Sequence, residues 1–505
     1  MTAWQVLNEA RVRGYYTPRA VTDVPQVRTD GRVSVAPLTF RAWQELRAAG
    51  HRAPHPLRYT YRWPPPYTPR NNQIATAEFL ATHNRAICLN GMRTGKTMAT
   101  LWAADYLQQE GAVKKVLIVA PKSTLELVWE RSIMRTWGNN KSWTILTGSA
   151  DRKRQDAARD VDFVIVNPES LHLVIDEVGP DLVVVDEATS MKNPSSRRWK
   201  ALAAIVGDDL PLWLLTATPT QHSPEDAFGL IRLLHKEYMS KHRWRGMTMR
   251  QVTRFKWIPK DDAEATVARW LQPAIRFTLD DCGDVPAVQK EYLEVPMTKE
   301  QIRVYTKLEN EAVAQFESGE EVNAVNAGVL VSKLLQVQGG GVYVHDEAGE
   351  RTVRQLDAKP LYDAIREYVD QADTPVLVFA PFRAVAETVA DELKAPLYYG
   401  DTKPAERRRL VDRFQAGHLK ALVAVPDTMS HGITLDRSNY ILWVLPPFKP
   451  ETYAQANGRV LQAASRKRII ITHLTLGELT KRRYVALETK ERLQDTVLHL
   501  LQRGG

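Results

Sequence analysis

"LNGMRTGKTMAT", residues 89–100, contains the Gly-Lys-Thr tripeptide that ends a phosphate-binding loop. A strand-like run, "AICL", precedes the loop and a helix-compatible run, "TMATLWAADYL", follows it, so amides at the helix N-terminus would point at phosphate oxygens. Lys96 would add a positive charge there, and the Thr97 hydroxyl would bind Mg²⁺. The strict pattern has glycine at position 90, whereas this chain has Asn90 followed by Gly91. The stretch therefore predicts a nucleotide site with an imperfect loop.

An acidic pair farther along the chain supplies a second part of such a site. "LVVVDEATS" places Asp186 and Glu187 at the end of an apolar strand, at the sheet edge where ligands of parallel sheets bind. Asp186 is the expected Mg²⁺ ligand, and Glu187 would orient or deprotonate the attacking water. For an isolated pair, a helix cap or a solvated turn would be the favoured interpretation. Its position after the phosphate loop favours the catalytic interpretation.

Composition indicates a soluble globular protein with a polyanionic partner. The chain has 505 residues, 44% of them hydrophobic and 25% charged, which is enough for two to four domains. A net charge of +9 and a pI of about 9.3 fit nucleic acid as that partner. Two cysteines exclude a disulfide framework and a thiolate zinc site. Without a signal peptide or an apolar run of about 20 residues, a cytoplasmic protein is expected.

Apolar runs of strand length alternate with amphipathic stretches twice along the chain. The first series includes "KVLIVAP" and "DLVVVDE", and the second includes "PVLVFAP" and "RIIITHL". Such runs indicate parallel sheets covered on both faces, so an α/β fold with two lobes is predicted. The expected parts are an N-terminal accessory module (1–66), the first lobe (67–236), a mostly helical insert and linker (237–355), the second lobe (356–480) and a C-terminal helix (481–505).

Two segments combine cations with aromatic residues. The central basic segment, residues 236–260, has eight cations against one acid, with Trp244 and Trp257 among them. Such cations bind phosphates and such rings stack on bases, but a solvated face with rings packed in a helical core is the open alternative. The nucleic-acid candidates are Arg243, Trp244, Arg245, Lys256 and Trp257. For the N-terminal basic segment, residues 58–70 ("RYTYRWPPPYTPR"), structural packing is favoured.

The motifs and their order resemble those of superfamily 2 helicases. "GMRTGKT", "VLIVAPKSTLELVWE", "WLLTATPTQHSPEDAFGLIRLL" and "YAQANGRVLQAASRK" are similar to that superfamily's successive motifs. "VDEATSMKNPSSRRWKAL" is more specific, because a Lys-Asn shortly after the Asp-Glu pair is typical of the Swi/Snf-type DNA translocase branch. Phage-encoded helicases close to that branch are also similar. The similarity runs from about Pro69 to the C-terminal helix.

This resemblance implies two RecA-like lobes that bind ATP and Mg²⁺ between them. The residues expected to contact ATP around the loop are Gly91, Arg93, Thr94, Gly95, Lys96, Thr97 and Met98. Gln73 is expected to read adenine, with an ordinary surface glutamine as the alternative. In the second lobe, Gly432 belongs to the motif that couples ATP and nucleic acid, and Gln455 and Arg459 belong to the motif that faces the γ-phosphate.

The resemblance also implies that nucleic acid crosses both lobes. The residues expected at that face, or coupling it to phosphate loss, are Pro121, Lys122, Ser123, Asn167, Ser170, Thr216, Thr218 and Thr434. Both lobes would grip mainly the backbone, so weak sequence preference is expected.

Two positions depart from the family pattern. A second arginine is expected three residues after Arg459, where this chain has Gln462, and Arg93 replaces a usual glycine. An arginine that reaches the transferred phosphoryl group contributes about 10³ to 10⁵ in rate. We therefore hypothesise that Arg93 partly replaces the missing arginine.

The sequence as a whole predicts an ATP- and Mg²⁺-dependent DNA motor. A translocase on duplex DNA or a helicase that remodels forks is expected, in phage-type replication or recombination, with proteins of those processes as partners. The expected molecule is a monomer without membrane contact, in the host cytoplasm if it is phage-encoded. The alternatives are a nucleotide-gated DNA-binding protein with little turnover and an RNA helicase. An unrelated P-loop kinase would need no second lobe with "QANGR".

Overall fold

The structure is a computed structural model, and it describes residues 4–487 apart from short gaps. The residues outside the description are 1–3, 10–11, 18–20, 22–23, 30–31, 221–222, 236–238, 254–255, 284–286, 318–323, 346–350, 430–434, 461–467 and 488–505. The described chain divides into two compact units, one ending at Cys282 and the other beginning at Gly283. In the described part, no helix combines the length and the apolar composition needed to cross a bilayer.

A small antiparallel sheet opens the first unit. Its strands have the order β1-β2-β4-β3, and two helices follow them. The elements are β1 (Gln5–Glu9), β2 (Val12–Thr17), β3 (Arg28–Thr29), β4 (Ser34–Pro37), α1 (Phe40–Ala48) and α2 (Leu57–Thr60). Tyr15 and Trp43 lie in the same buried cluster as Trp102 and Trp129 of the first lobe. The N-terminal module therefore shares a hydrophobic core with that lobe.

The N-terminal basic segment lies within this shared packing. The Tyr61 hydroxyl donates a 2.6 Å hydrogen bond to the buried Asp105 carboxylate. The Trp63 ring meets Trp102 edge to face, with 5.2 Å between the centroids. Structural packing, the interpretation favoured from the sequence, is confirmed.

A seven-stranded parallel sheet forms the first lobe. Its order is β13-β5-β10-β9-β6-β8-β7. The strands are β5 (Arg85–Cys88), β6 (Val116–Val119), β7 (Trp143–Ile145), β8 (Phe163–Val166), β9 (Leu182–Val185), β10 (Leu212–Leu215) and β13 (Ala274–Ile275). Alternate residues face opposite sides of a strand, so Ala86 and Ile87 enter different buried clusters. Both faces are covered, as the continuous apolar runs predicted.

Helices cover the two faces of this sheet and lead into its last strand. They are α3 (Asn71–Thr82), α4 (Lys96–Gln109), α5 (Arg131–Trp137), α6 (Ala150–Ala157), α7 (Arg197–Val206), α8 (Phe228–Leu234), α9 (Lys241–Thr248) and α10 (Ala263–Trp270). A hairpin of β11 (Met249–Gln251) and β12 (Trp257–Pro259) separates α9 from α10. Because β13 then pairs with β5, residues 241–282 belong to the first unit.

The second unit contains a six-stranded parallel sheet. Its order is β14-β21-β20-β17-β19-β18. The strands are β14 (Val288–Glu294), β17 (Val376–Phe379), β18 (Leu397–Tyr398), β19 (Ala421–Ala424), β20 (Tyr440–Trp443) and β21 (Ile469–Thr475). Two parallel-sheet lobes with helices confirm the predicted fold class.

The helices of the second unit flank this sheet and a separate antiparallel hairpin. They are α11 (Lys299–Glu317), α12 (Ala324–Gln338), α13 (Lys359–Gln371), α14 (Arg383–Leu393), α15 (Pro404–Gln415), α16 (Pro450–Asn457) and a helix over 478–487. The hairpin consists of β15 (Gly341–His345) and β16 (Arg351–Gln355). The region 237–355, predicted as one helical insert, thus contributes β13 to one sheet and β14 to the other.

Candidate nucleotide and nucleic-acid sites

The loop between β5 and α4 has the backbone shape needed to present amides to a phosphate. Gly95 is the N-cap of α4, and its φ of +87° would strain any residue with a Cβ. Arg93 adopts the same left-handed region at φ +65° while carrying a side chain. That conformation costs a non-glycine residue about 1–3 kcal/mol and is concentrated at functional sites. The loop therefore holds backbone strain just before the helix N-terminus.

Lys96, the first residue of α4, folds its side chain back over this loop. Its Nζ donates to the carbonyl oxygens of Asn90 at 2.8 Å and Gly91 at 3.0 Å. The Thr94 hydroxyl also donates to Gly91, at 2.9 Å. The predicted phosphate-binding cation is thus held inside the loop. Thr97 and Met98 follow it in the first helical turn, both half-buried.

Asn90 has a structural role that explains why glycine is absent there. Its Oδ1 accepts from the Phe277 amide at 2.8 Å, and its Nδ2 donates to the Thr76 hydroxyl at 2.8 Å. The Gly91 amide also donates to the Phe277 carbonyl, at 2.8 Å. A glycine at position 90 would remove both side-chain bonds. Asn90 therefore departs from the loop pattern because its side chain holds the start of the loop through hydrogen bonds to Phe277 and Thr76.

Gln73 lies against the loop and is buried, with 7% of its surface exposed. Its Nε2 contacts the Gly95 carbonyl oxygen at 3.4 Å, and its Oε1 accepts from the Arg70 amide at 3.0 Å. An ordinary surface glutamine, the alternative interpretation, does not fit this burial. Gln73 stays a prediction as the adenine-reading residue, and its position beside the loop is compatible with that role.

Two further side chains from the start of α3 hold the loop, and the sequence did not indicate them. Asn72 Nδ2 donates to the Thr94 carbonyl at 2.8 Å, and Arg70 Nη2 donates to the Arg93 carbonyl at 3.3 Å. Hydrogen bonds from side chains to distant backbone carbonyls produce no recognisable motif in the sequence. The only available signal was the proximity of both residues to Gln73 in the chain.

Asp186 and Glu187 follow β9 at the carboxyl edge of the sheet. Asp186 Oδ2 accepts from the Trp129 indole nitrogen at 3.0 Å, and Asp186 Oδ1 accepts from the Glu187 amide at 3.0 Å. Glu187 has φ +47° and ψ +56°, a second strained non-glycine conformation. Both residues are half-buried, as expected for groups that meet a ligand.

The donor set suits Mg²⁺ bound together with a nucleotide. Mg²⁺ is usually held through one or two carboxylates with waters and substrate phosphates. Asp186 and the Thr97 hydroxyl are hard oxygen donors of this kind. Across the described ranges, no three His, Cys, Asp or Glu side chains are grouped tightly enough to hold a metal by themselves. The residues therefore fit a metal that arrives with ATP.

Cys88 is the buried last residue of β5, directly before the loop. Burial raises the pKa of its thiol to about 11, while Lys96 lowers the pKa and Asp186 raises it to smaller extents. The Cys88 carbonyl also accepts from the Thr216 amide at 3.0 Å. Loop, acidic pair and the Thr216 motif are thus neighbours at one sheet edge. A protonated Cys88 is no nucleophile near neutral pH.

Residues predicted at the nucleic-acid face of the first lobe follow β6, β8 and β10. After β6, Lys122 is exposed while Pro121 and Ser123 are half-buried. After β10, Thr216 is buried and its hydroxyl accepts from the half-buried Thr218 amide at 3.2 Å. All of them lie at the carboxyl edge of the same sheet, in which β9 separates β10 from β6.

The two residues predicted after β8 are tied to other side chains. Asn167 Nδ2 donates to Glu169 at 2.9 Å, and the buried Ser170 hydroxyl accepts from Lys153 Nζ at 2.9 Å. Their contact with nucleic acid stays a prediction. To contact nucleic acid, the Ser170 hydroxyl would first have to give up its hydrogen bond to Lys153.

The central basic segment contains one correction. Trp244 is fully buried at 0% exposure, and its indole nitrogen donates to the Pro224 carbonyl at 3.2 Å. Its ring lies in the core of the first lobe and has no face available to a base. The alternative interpretation, packing in a helical core, therefore holds for Trp244, and we remove it from the nucleic-acid candidates.

The other candidates of this segment have mixed surroundings. Arg245 pairs with Glu225 at 2.8 Å and lies over the half-buried Trp257 ring at 5.4 Å. Arg243 and Lys256 are exposed. Among the candidates of this segment, these two cations are therefore the exposed ones.

In the second unit, Arg459 is buried at 4% exposure. Its Nη2 donates to the Met429 carbonyl at 3.3 Å, and its own carbonyl accepts from the Leu435 amide at 2.9 Å. Gln455 is half-buried on α16. Gly432, Thr434 and Gln462 lie outside the described residues.

Comparison with known families gives matches over both lobes. The model of the SNF2-related domain matches residues 72–338, more than half of the chain. The model of the helicase conserved C-terminal domain matches residues 360–464. The first of these ranges contains the loop and the acidic pair, and the second contains Arg459.

Similar proteins include a phage protein and a chromatin regulator. Protein p41 of Acyrthosiphon pisum secondary endosymbiont phage 1 is 25% identical over 474 residues, covering 86% of this chain and 99% of that protein. The SWI/SNF-related matrix-associated actin-dependent regulator of chromatin subfamily A-like protein 1 of Xenopus laevis is 20% identical over 409 residues. That match covers 78% of this chain but 40% of the frog protein, so this chain spans less than half of it.

Solved structures share the fold at low sequence identity. The Mycobacterium smegmatis helicase Lhr, bound to ssDNA and AMP-PNP, has a TM-score of 0.53 and 15% identity. The match covers 85% of this chain and 48% of that one. The two domain matches confirm the resemblance found in the motifs. The chain belongs to the SNF2-related family of ATP-dependent DNA translocases and helicases, and it is an ATP hydrolase.

Proposed function

We propose that this protein is a Mg²⁺-dependent motor that moves on duplex or forked DNA in phage-type replication or recombination. One observation carries the proposal. Lys96 follows β5, the Asp186–Glu187 pair follows β9 and Thr216 follows β10, so these three adjacent parallel strands present them at one carboxyl edge of the sheet. That arrangement joins a phosphate cation, a metal-binding carboxylate and a coupling motif. The similarity of p41 supports the phage setting.

Each residue of the site has a distinct proposed task. The amides before α4 and the Lys96 ammonium bind the β- and γ-phosphates. Thr97 and Asp186 would hold Mg²⁺, which would supply charge neutralisation on the phosphates. Glu187 holds the attacking water through its carboxylate and takes up its proton. Gln455 and Arg459 stay candidates for the γ-phosphate contact.

DNA binding is proposed to depend on lysine and arginine side chains that contact DNA phosphates. The exposed Lys122 follows β6, and the exposed Arg243 and Lys256 belong to the central basic segment. These side chains form charge contacts with any sequence, so affinity should fall steeply with salt. Trp257 adds a half-buried ring beside them.

A second candidate function is a nucleotide-gated DNA-binding protein with little turnover. The strained Arg93 inside the loop and Gln462 after Arg459 favour it, because both depart from positions that support hydrolysis in the family.

Under our separate hypothesis that Arg93 partly replaces the missing arginine, Arg93 adds a cation near the phosphates, so Arg93→Gly should slow hydrolysis. Faster hydrolysis by Arg93→Gly would exclude that role.

Steady-state ATP hydrolysis separates these candidates. Wild type, Lys96→Ala and the exposed-surface control Lys114→Ala are measured alone and with duplex DNA, single-stranded DNA or RNA. Stimulation by duplex DNA that only Lys96→Ala abolishes supports the motor. Lys96-dependent ATP binding that alters DNA affinity without hydrolysis supports the gated binder. Stimulation by RNA alone would contradict a DNA motor.

A further inference from the structure

Trp129 is a buried residue beside the acidic pair, and none of the proposed tasks uses it. It lies at 0% exposure at the end of a turn, Leu125–Glu130, between β6 and α5. Its indole nitrogen donates to Asp186 Oδ2 at 3.0 Å, across 57 positions of the chain. A buried N–H aimed at a carboxylate forms a charge-assisted bond, which is stronger than a neutral one.

This bond fixes the orientation of the Asp186 carboxylate. The Glu187 amide donates to Oδ1 while Trp129 donates to Oδ2, so each oxygen has a donor fixed by the fold. A carboxylate has about four lone-pair sites, so both oxygens keep capacity for a metal. Rotation of the group about its Cβ–Cγ bond would break both contacts.

The turn that carries Trp129 has a specific shape. The Thr124 carbonyl accepts from the Val128 amide at 3.0 Å and from the Trp129 amide at 3.1 Å. The second bond spans five residues, as in a π-helical turn, which is rare and frequent at functional sites. The Thr124 hydroxyl in turn donates to the Pro121 carbonyl at 2.9 Å. The backbone therefore sets the direction of the indole before any ligand binds.

We propose that Trp129 is a positioning residue that holds the Asp186 carboxylate in the orientation that binds Mg²⁺. The inference rests on the proposed role of Asp186 as the metal ligand. Outer partners that orient a metal ligand typically contribute about 10- to 100-fold to metal affinity or activity. Loss of the indole N–H should therefore weaken metal binding without weakening metal-free nucleotide binding.

The test compares two tryptophans that each donate one indole hydrogen bond. Trp129→Phe removes the bond to Asp186, and the control Trp213→Phe removes a 3.0 Å bond from a ring of 1% exposure to the His83 carbonyl. Mn²⁺, a paramagnetic substitute for Mg²⁺, is titrated by electron paramagnetic resonance into full-length protein saturated with a non-hydrolysable ATP analogue. Asp186→Asn serves as the reference for a lost ligand. The Mg²⁺ dependence of hydrolysis is measured in parallel.

The expected result is about 10-fold weaker Mn²⁺ binding in Trp129→Phe, with the Trp213→Phe titration matching wild type. The metal-free affinity for the ATP analogue should be the same in all three. If Asp186→Asn weakens Mn²⁺ binding and Trp129→Phe does not, the inference alone is overturned. If Asp186→Asn also binds Mn²⁺ like wild type, the metal role of Asp186 fails and the inference fails with it.

A shape-preserving replacement covers the case in which Trp129→Phe does not fold. In 3-benzothienylalanine, a sulfur atom takes the place of the indole N–H, so the ring size is kept and only the donor is lost. Placed at position 129, it should show the same weaker Mn²⁺ binding. Wild-type binding by this variant would overturn the inference, because packing alone would then account for Trp129.

Discussion

The two basic segments have similar compositions but use their cations differently. In the N-terminal basic segment, Arg58 forms a two-pronged pair with Glu78, at 2.9 and 2.7 Å, and Arg70 bonds to the phosphate loop. In the central basic segment, Arg243 and Lys256 point outward from a helix and a hairpin. The first segment thus joins parts of the first unit, while the second presents charge to solvent.

The aromatic residues of the two segments behave alike. Tyr61 and Trp244 are both buried, and each donates a hydrogen bond to an oxygen inside the first unit. Burial is favoured for large rings, and a polar atom on a buried ring needs a partner. Composition therefore indicates whether rings will pack but not whether neighbouring cations are available to a ligand.

The largest expected effect comes from truncating the buried ring of the central segment. Trp244→Ala should lower the free energy of unfolding by about 3–5 kcal/mol, because it leaves a large cavity and removes the hydrogen bond to the Pro224 carbonyl. Urea unfolding followed by fluorescence measures this change. The half-buried Trp257→Ala, the control from the same segment, should cost clearly less. Unchanged stability with weaker DNA binding in Trp244→Ala would restore the stacking interpretation.

A smaller effect for each pH unit is expected at His55, which precedes the N-terminal segment. Burial lowers the pKa of His55 to about 3, and its Nδ1 accepts from the Leu57 amide at 3.2 Å, so the folded ring is neutral. The unfolded ring titrates near 6.5, so the unfolded state binds the extra proton between these values. Stability should therefore fall as pH drops from about 6.5 toward 3, by up to about 1.4 kcal/mol per unit.

Unfolding free energies at several pH values check this slope. His55→Gln should flatten it, whereas the exposed His242→Gln should leave it as in wild type. An identical slope in wild type and His55→Gln would show that other groups cause the acid sensitivity.

The smallest expected effect is on DNA binding, and it distinguishes the cations of the central basic segment from those of the N-terminal basic segment. Arg243→Ala and Lys256→Ala should each weaken DNA binding similarly across sequences and lower the salt dependence by about one phosphate contact. Arg58→Ala should leave that dependence unchanged, because Arg58 is occupied by Glu78. DNA affinities of the three variants and the wild type, measured at several salt concentrations, give these salt dependences. A loss of slope in Arg58→Ala would remove the distinction between the segments.

Local patterns predicted much of this molecule. The apolar runs gave the inner strands because a strand buried on both faces needs continuous Val, Ile and Leu. The phosphate loop and the position of Asp186 followed from the same reasoning, since motif and strand end are adjacent in the chain.

Features that depend on distant contacts were missed. Strand β13 has two residues and carries no periodic pattern, so its pairing with β5 could not be read from the sequence. Asn90 differs from the loop pattern because it bonds to Phe277 and Thr76, which no local signal connects. The contact of Trp129 with Asp186 depends on a π-helical turn, whose hydrogen bonds leave no composition signature.

The bonds between Phe277 and the start of the phosphate loop impose an order on biosynthesis. A nascent chain exposes Asn90 and Gly91 long before residue 277 has been translated, so the loop lacks these partners until the ribosome has passed that point. A fragment ending at residue 236 would keep every predicted motif of the first lobe and still leave β5 as a bare edge strand. A fragment ending at Cys282 retains both β13 and Phe277, so its loop keeps these partners.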